Sequence, residues 1–332
     1  MNPIGPKDKC STTRIVGTAL FVALLLTNIG VAAPPRSVAG QILSAPDQTR
    51  SVHYRSTKID GIQIFYREAG SPKSPTILLL HGFSSSSHMF RDLMPLLSDR
   101  FHIIAPDYPG FGYSDAPPAS GFDPTFSSLE TVVEHFVQEI GLSSFVLYMQ
   151  DFGGPVGFRM AVKHPDWING LIIQNANAYQ EGLVLPQAKN TQSPDASPSQ
   201  PTSTRVVNAD FIRYMYQSGA RDPSAMNPDA WTVDIAALAN PEAKRIQAAL
   251  IDNYVTNIPQ YPQWQTYLRE RQPKTLVVWG KNDRGFLPEG AEAYRRDVRD
   301  LTVEYFDTGH FALEEDALPI AQAIIAQFAS KR

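Results

Sequence analysis

The stretch that decides the fold is Phe145-Val146-Leu147-Tyr148-Met149-Gln150-Asp151-Phe152-Gly153-Gly154. It opens as a short, continuous apolar run, the pattern of a strand buried on both faces of a parallel sheet. It then changes abruptly to one acidic residue followed by small ones. A polar residue between a strand and a helix, with small neighbours, matches a nucleophile elbow, a turn too tight for bulky flanking side chains. The usual form has serine at the centre and glycine two residues to either side; here Asp151 is central and Gln150 precedes it. An aspartate needs no base to become a nucleophile, because its carboxylate is already ionised at neutral pH. The competing reading is that Asp151 only caps the following helix, a role aspartate often fills.

Similar apolar runs lie on both sides: Ile77-Leu80, Phe101-Ile104, Leu171-Ile173 and Leu276-Trp279, with a period-two segment at Ile62-Tyr66 and a strand-like Leu301-Phe306. Between them, Leu129, Val132, Val133, Phe136 and Ile140 keep three-and-four spacing, as do Ile320, Ile324, Ile325 and Phe328 near the end. Strands alternating with helices imply a mostly parallel, doubly wound α/β sheet. From Asn175 to Thr275 the rhythm breaks. Residues 187–204 are rich in Ser, Pro, Thr and Gln and read as a surface loop. Apolar and aromatic residues at helical spacing from Asp210 to Tyr267 read as a helical cap. The expected organisation is a core over 52–178, a cap inserted over 179–272 after the sixth strand, and the rest of the core over 273–332.

Open α/β sheets place their chemistry at the C-terminal ends of the strands. Asp283, in Trp279-Gly280-Lys281-Asn282-Asp283, and His310, in Thr308-Gly309-His310-Phe311, both follow strand-like runs. They stand after Asp151 in the chain order nucleophile, acid, histidine. Alone, an aspartate after a strand is usually a turn residue and a lone histidine a hydrogen-bonded structural one; together and in order they outweigh those readings. His310 is the expected base, with Asp283 fixing its tautomer. His81-Gly82-Phe83-Ser84 follows another apolar run. The backbone N–H groups of Phe83 and Phe152 are the expected oxyanion hole, and His81 is expected to orient the loop.

Taken together, His81-Gly82-Phe83, Asp107-Tyr108-Pro109-Gly110-Phe111-Gly112-Tyr113-Ser114-Asp115, Gln150–Gly154, Asp283 and Gly309-His310-Phe311 resemble the α/β-hydrolase superfamily. More narrowly they are similar to its aspartate-nucleophile branch, shared by epoxide hydrolases and haloalkane dehalogenases. The resemblance covers about residues 52–332 and is weakest across the cap. It implies that Asp151 opens the substrate and becomes esterified, after which His310 activates the water that hydrolyses the ester, with no metal or organic cofactor. Dehalogenases of the branch typically hold the halide with a tryptophan after the nucleophile and an asparagine after the His-Gly pair, or a tryptophan of the cap. Here those first two positions are Phe152 and Phe83, and a phenyl ring has no N–H to donate; Trp231 and Trp264 remain as cap donors. Epoxide hydrolases use cap tyrosines to protonate the opening ring. The cap offers Tyr214, Tyr216, Tyr254 and Tyr261, of which Tyr216 and Tyr254 are the favoured pair. The branch's usual His-Gly-x-Pro ends here in Ser84. An apolar epoxide is the expected substrate, in a pocket walled by Phe83, Phe152 and cap aromatics, with haloalkane dehalogenation as the alternative. A serine-type ester hydrolase fits poorly without serine at position 151, and a non-catalytic binding protein has no need of Asp151, Asp283 and His310 together.

Composition agrees with an enzyme. The 332 residues are 43% hydrophobic and 19% charged, which is globular, and a net charge of −4 offers no basic excess for nucleic acid. Cys10 is the single cysteine, so disulfide frameworks and thiolate metal clusters are excluded. At the N-terminus, Lys7, Lys9 and Arg14 precede an uncharged run from Ile15 to Pro35, and small residues end at Ala39. That order reads as a secretory signal over residues 1–39, giving a periplasmic or secreted enzyme with no stable membrane partner. The alternative is an uncleaved membrane anchor through residues 15–35.

Overall fold

A computed structural model describes residues 51–185, 203 and 206–329. The expected signal over 1–39 and, apart from Ser203, the expected surface loop over 187–204 lie outside the described residues. The frame is an eight-stranded sheet: β1 (Val52–Ile59), β2 (Ile62–Ala69), β3 (Thr76–Leu80), β4 (His102–Pro106), β5 (Phe145–Gln150), β6 (Ile168–Gln174), β7 (Thr275–Gly280) and β8 (Leu301–Phe306). Their spatial order is β1-β2-β4-β3-β5-β6-β7-β8. β2 runs antiparallel to both β1 and β4, and every later pairing is parallel. Each strand-like run of the sequence lies in one of these strands. β1 was not foreseen; most of its residues are exposed, so it lacks the apolar signal of the interior strands.

Alternate side chains of the central strands feed two cores, because successive residues of a strand point to opposite faces. Leu78, Leu80, Leu147, Met149, Leu171, Ile173, Val277 and Trp279 pack on one face, with α2 (Phe126–Glu139) and α3 (Gly153–Lys163). Ile77, Leu79, Val146, Tyr148, Ile172, Leu276 and Val278 pack on the other, with α1 (Leu93–Leu97) and the C-terminal helix Leu313–Phe328. Strands covered on both faces must be apolar throughout, which is why they read as uninterrupted runs. The Thr125 side chain accepts from the Ser128 N–H at 3.1 Å and so caps α2 at the N-terminus, while Leu129, Val132, Val133 and Phe136 form its buried face.

Between β6 and β7, residues 175–185 are turns and loop, and from Ala209 the described chain is mainly helical: α4 (Ala209–Gln217), α5 (Asp229–Ala237), α6 (Pro241–Asn253), a 3₁₀ segment (Tyr254–Gln260) and α7 (Tyr261–Arg271). These helices are tied to loops at the C-terminal ends of the strands. Gln247 donates to the Gly110 carbonyl at 3.0 Å, Gln265 donates to that of Ala178 at 2.9 Å, and the Phe126 N–H donates to Asn253 at 3.2 Å. The site is therefore covered by groups far from it in sequence. Among the described residues, no helix is long and apolar enough to cross a membrane. Leu79 has no exposed surface, so Leu79→Ala is expected to cost about 2–5 kcal/mol in denaturant unfolding.

Candidate active site

The centre of the site is a strained turn. β5 ends at Gln150, α3 begins at Gly153, and Asp151 between them has φ +48°, a left-handed conformation that a residue with a Cβ rarely adopts. The strain is sustained by close packing that only small residues allow. A Cβ on Gly153 would run into the Leu80 carbonyl oxygen, one on Gly157 into Met149, and one on Gly82 into the side chains of Gln150 and Asp151. The glycines thus let β3, β5 and α3 approach closely enough to lift Asp151 out of the sheet.

The Phe83 N–H donates to Asp151 Oδ1 at 2.6 Å, and the Phe152 N–H, next along the chain, also favours charge on this carboxylate. The two amides expected from sequence therefore converge on one group. His310 lies on the other side, with Nε2 3.9 Å from Asp151 Oδ2. Its Nδ1 meets Asp283 Oδ2 at 2.7 Å, and its Nε2 meets the Gln150 amide nitrogen at 2.9 Å. With Nδ1–H given to Asp283, Nε2 carries the lone pair and faces the carboxylate. All three side chains are at least nine-tenths buried. Asp151, Asp283 and His310, separated by up to 159 positions in sequence, are thus brought together.

Burial raises the Asp151 pKa above the ordinary carboxylate value, although His310 and the Phe83 and Phe152 amides pull it down. Burial also works against charge on His310, but Asp283 and Asp151 outweigh it and hold the imidazole above its usual pKa. His81 is the opposite case. Burial lowers it to about 3, so it stays neutral, with one ring nitrogen against the Gly82 carbonyl and the other accepting from the Tyr108 N–H. Its expected role in orienting the loop agrees with these bonds.

Sequence reasoning missed two groups. Asn175, just past β6, donates to Asp283 Oδ2 at 2.8 Å, while its own oxygen accepts from the Gly280 N–H at 2.9 Å. The Gly285 and Phe286 N–H groups hold the other Asp283 oxygen. The available signal was position, since Asn175 sits at a strand end where the other site residues sit. The second is Tyr108, whose buried hydroxyl has no hydrogen-bond partner among the described residues and lies in the field of Asp151.

The cap tyrosines divide. Tyr254 stacks on Phe152 with centroids 5.9 Å apart and packs edge-on against Phe126 at 5.7 Å. Its hydroxyl is buried, adjoins that of Tyr261, and feels the Asp151 charge. Neither hydroxyl has a conventional hydrogen-bond partner among the described residues, and burial keeps both phenols protonated. Tyr216 differs from expectation. Its hydroxyl donates to Asp234 Oδ2 at 2.6 Å, and a donor committed to a buried carboxylate is not free for a substrate. The side chain beside Tyr254 is that of Tyr261. Tyr214 is 38% exposed, Trp264 stacks on Phe158, and Trp231 packs against Tyr216. Phe83 and Phe152 face each other at 5.6 Å and give the site its apolar wall. Among the described residues no three His, Cys, Asp or Glu side chains are grouped to hold a metal ion.

A strand-turn-helix with a buried acid on a left-handed turn, two amides on that acid, and a histidine–aspartate pair opposite it define a hydrolase of the α/β-hydrolase type. The family's profile, described as alpha/beta hydrolase fold, matches residues 75–317, and the chain belongs to that family. It is 42% identical over 283 residues to an uncharacterised hydrolase of Saccharomyces cerevisiae, covering 81% of this chain and 94% of the yeast one. It is 29% identical over 277 residues to haloalkane dehalogenase 2 of Mycobacterium tuberculosis, covering 80% and 91%. A Xanthomonas campestris cis-3-alkyl-4-alkyloxetan-2-one decarboxylase is 25% identical over 292 residues, covering 80% and 92%. Among solved structures, haloalkane dehalogenase DbeA from Bradyrhizobium elkani superposes with a TM-score of 0.69 at 20% identity, covering 83% of this chain and 97% of that one. At that identity the likeness concerns the fold.

Gly153→Ala tests the turn directly. It is expected to destabilise the protein by about 1–3 kcal/mol in denaturant unfolding and to displace Asp151 from the Phe83 N–H.

Proposed function

We propose that this enzyme hydrolyses apolar epoxides to diols through an ester on Asp151. The observation that carries the reading is the buried Tyr254 phenol, which lies in the field of Asp151 and adjoins that of Tyr261, together with Phe83 and Phe152 rings that offer no N–H to a halide. In this reading Asp151 Oδ2 attacks a ring carbon from the back. The C–O bond of the strained ring breaks, and the departing oxygen receives a proton from a phenol. Oδ1 remains the ester carbonyl, held by the Phe83 and Phe152 amides. His310 Nε2 then removes a proton from water, which attacks Asp151 Cγ. The amides stabilise the oxyanion; collapse breaks the Cγ–Oδ2 bond, the proton of the new hydroxyl passes to the departing diol oxygen and leaves a carboxylate, and the proton taken up by His310 returns to the phenolate. Asp283 and Asn175 keep the imidazole turned toward the water. The name of the Xanthomonas relative gives it a strained oxygen ring as substrate, which supports the same class here. The basic, apolar and small residues over 1–39 support export.

The second reading is haloalkane dehalogenation, favoured by the name of the mycobacterial relative. Mass spectrometry of His310→Gln separates the two. Incubated with terminal epoxides, it is expected to accumulate a hydroxyalkyl adduct on the peptide carrying Asp151. A plain alkyl adduct with released halide, and none from epoxides, would assign the dehalogenase instead. Replacing both Tyr254 and Tyr261 by Phe is expected to slow alkylation by epoxides by roughly 10²-fold or more, read by stopped flow, without preventing ester hydrolysis.

The pH dependence has a sign. Asp151 helps to hold the His310 pKa up in the free enzyme. Esterification removes that charge, so the base should be freed at lower pH in the ester than in the resting enzyme. Single-turnover ester hydrolysis is expected to rise through a midpoint below the His310 pKa of the free enzyme measured by NMR.

A further inference from the structure

His310 is flanked by two aromatic rings. Phe286 lies against it with centroids 5.4 Å apart, and Phe311 meets it edge-on at 5.0 Å. Phe286 belongs to the loop that carries Asp283, whereas Phe311 is covered by the cap. Tyr216 of α4 stacks on Phe311 at 3.8 Å, with only 6° between the ring planes. The far end of the same phenol is fixed. Its hydroxyl donates to Asp234 of α5 at 2.6 Å and lies 3.3 Å from Ser85 Oγ. Ser85 stands two residues after Phe83, in the loop whose N–H holds Asp151. Asp234, Tyr216 and Ser85 are all buried. A carboxyl group in such a place is costly unless its hydrogen bonds are made. Burial and the neighbouring Glu314 and Asp107 charges push the Asp234 pKa up, while Tyr216 and Ser85 pull it down. Glu314 is itself paired with Arg91 at hydrogen-bond distance.

We propose that Asp234 and Tyr216 are positioning residues of the reaction: Asp234 fixes the Tyr216 phenol, whose ring braces Phe311 and thereby holds the His310 imidazole at its working angle. The hydroxyl that sequence alone assigns to substrate instead links the cap to the loops carrying the base and the oxyanion donors. This proposal rests on His310 acting as the base for ester hydrolysis.

The test reads His310 with and without substrate. The Nδ1–H shared with Asp283 is followed as a low-field proton resonance in Tyr216→Leu, Tyr216→Phe, Asp234→Leu and Asp234→Asn. Tyr216→Leu removes the stack, and Tyr216→Phe keeps the ring but cuts its anchor. Both are expected to shift and broaden the resonance, and Tyr216→Phe keeps the comparison open should the leucine variant fail to fold. Asp234→Leu should resemble Tyr216→Phe. Asp234→Asn, whose amide oxygen can still accept from the phenol, should return the resonance toward its original position. In single turnovers, ester hydrolysis is expected to slow on the order of tenfold in Tyr216→Phe, while alkylation changes by less than about twofold, as suits a small displacement of the base alone. An unchanged resonance in folded Tyr216→Phe and Asp234→Leu would overturn the proposal. So would equal slowing of both steps. Should the unaltered protein form no ester with any substrate, the functional reading fails while the resonance still decides whether Tyr216 positions His310.

Discussion

The site depends on one contact, the 2.6 Å hydrogen bond from the Phe83 N–H to Asp151 Oδ1. It exists only because Asp151 stands on a left-handed turn between β5 and α3. That turn in turn requires Gly153 to pass against the Leu80 carbonyl and Gly82 to pass against Asp151. The constraint orders the two carboxylate oxygens. Oδ1 is held by the Phe83 N–H, and Oδ2 faces His310 at 3.9 Å. In the proposed mechanism an ester on Oδ2 would leave its carbonyl already beside the donor that meets the developing negative charge. Stabilisation prepared in the resting enzyme costs no reorganisation at the moment of reaction.

Such a centre is electrostatically expensive, and the surroundings show how the cost is offset. A carboxylate, an imidazole and a second carboxylate are buried within a few ångströms of one another. Each has donors or a counter-charge: two amides on Asp151, two amides and Asn175 on Asp283, and Asp283 with Gln150 on His310. Gln150 suits both states of the base. Its nitrogen now faces His310 Nε2, and rotation of the amide would present its otherwise unpartnered oxygen to a protonated ring. The phenols of Tyr254 and Tyr261 adjoin each other and have no such partners among the described residues.

What could be read in advance follows from the range of the forces involved. Interior strands such as Phe145–Gln150 and Thr275–Gly280 are buried along their whole length, and burial leaves a continuous apolar run in the sequence. The edge strand Val52–Ile59 has no such constraint, and its polar residues hide it. Asp151, Asp283 and His310 were legible because a strand end and a small-residue turn advertise them locally. The partner of a phenol is set by tertiary contact instead. Nothing around Tyr216 in the sequence announces that Asp234, on the next helix, takes its hydroxyl, or that the Tyr261 hydroxyl adjoins that of Tyr254. Asn175 was hidden for the same reason.

In the proposed mechanism the oxygen added to the substrate comes from the Asp151 carboxylate, and water then replaces it there. A single turnover in H₂¹⁸O, with enzyme in excess over epoxide, tests it most directly. The first diol is expected to carry no label, and ¹⁸O is expected in the Asp151 carboxylate, found by peptide mass spectrometry. Label in the first diol, with Asp151 unlabelled, would mean that water attacks the substrate itself and would contradict the covalent mechanism.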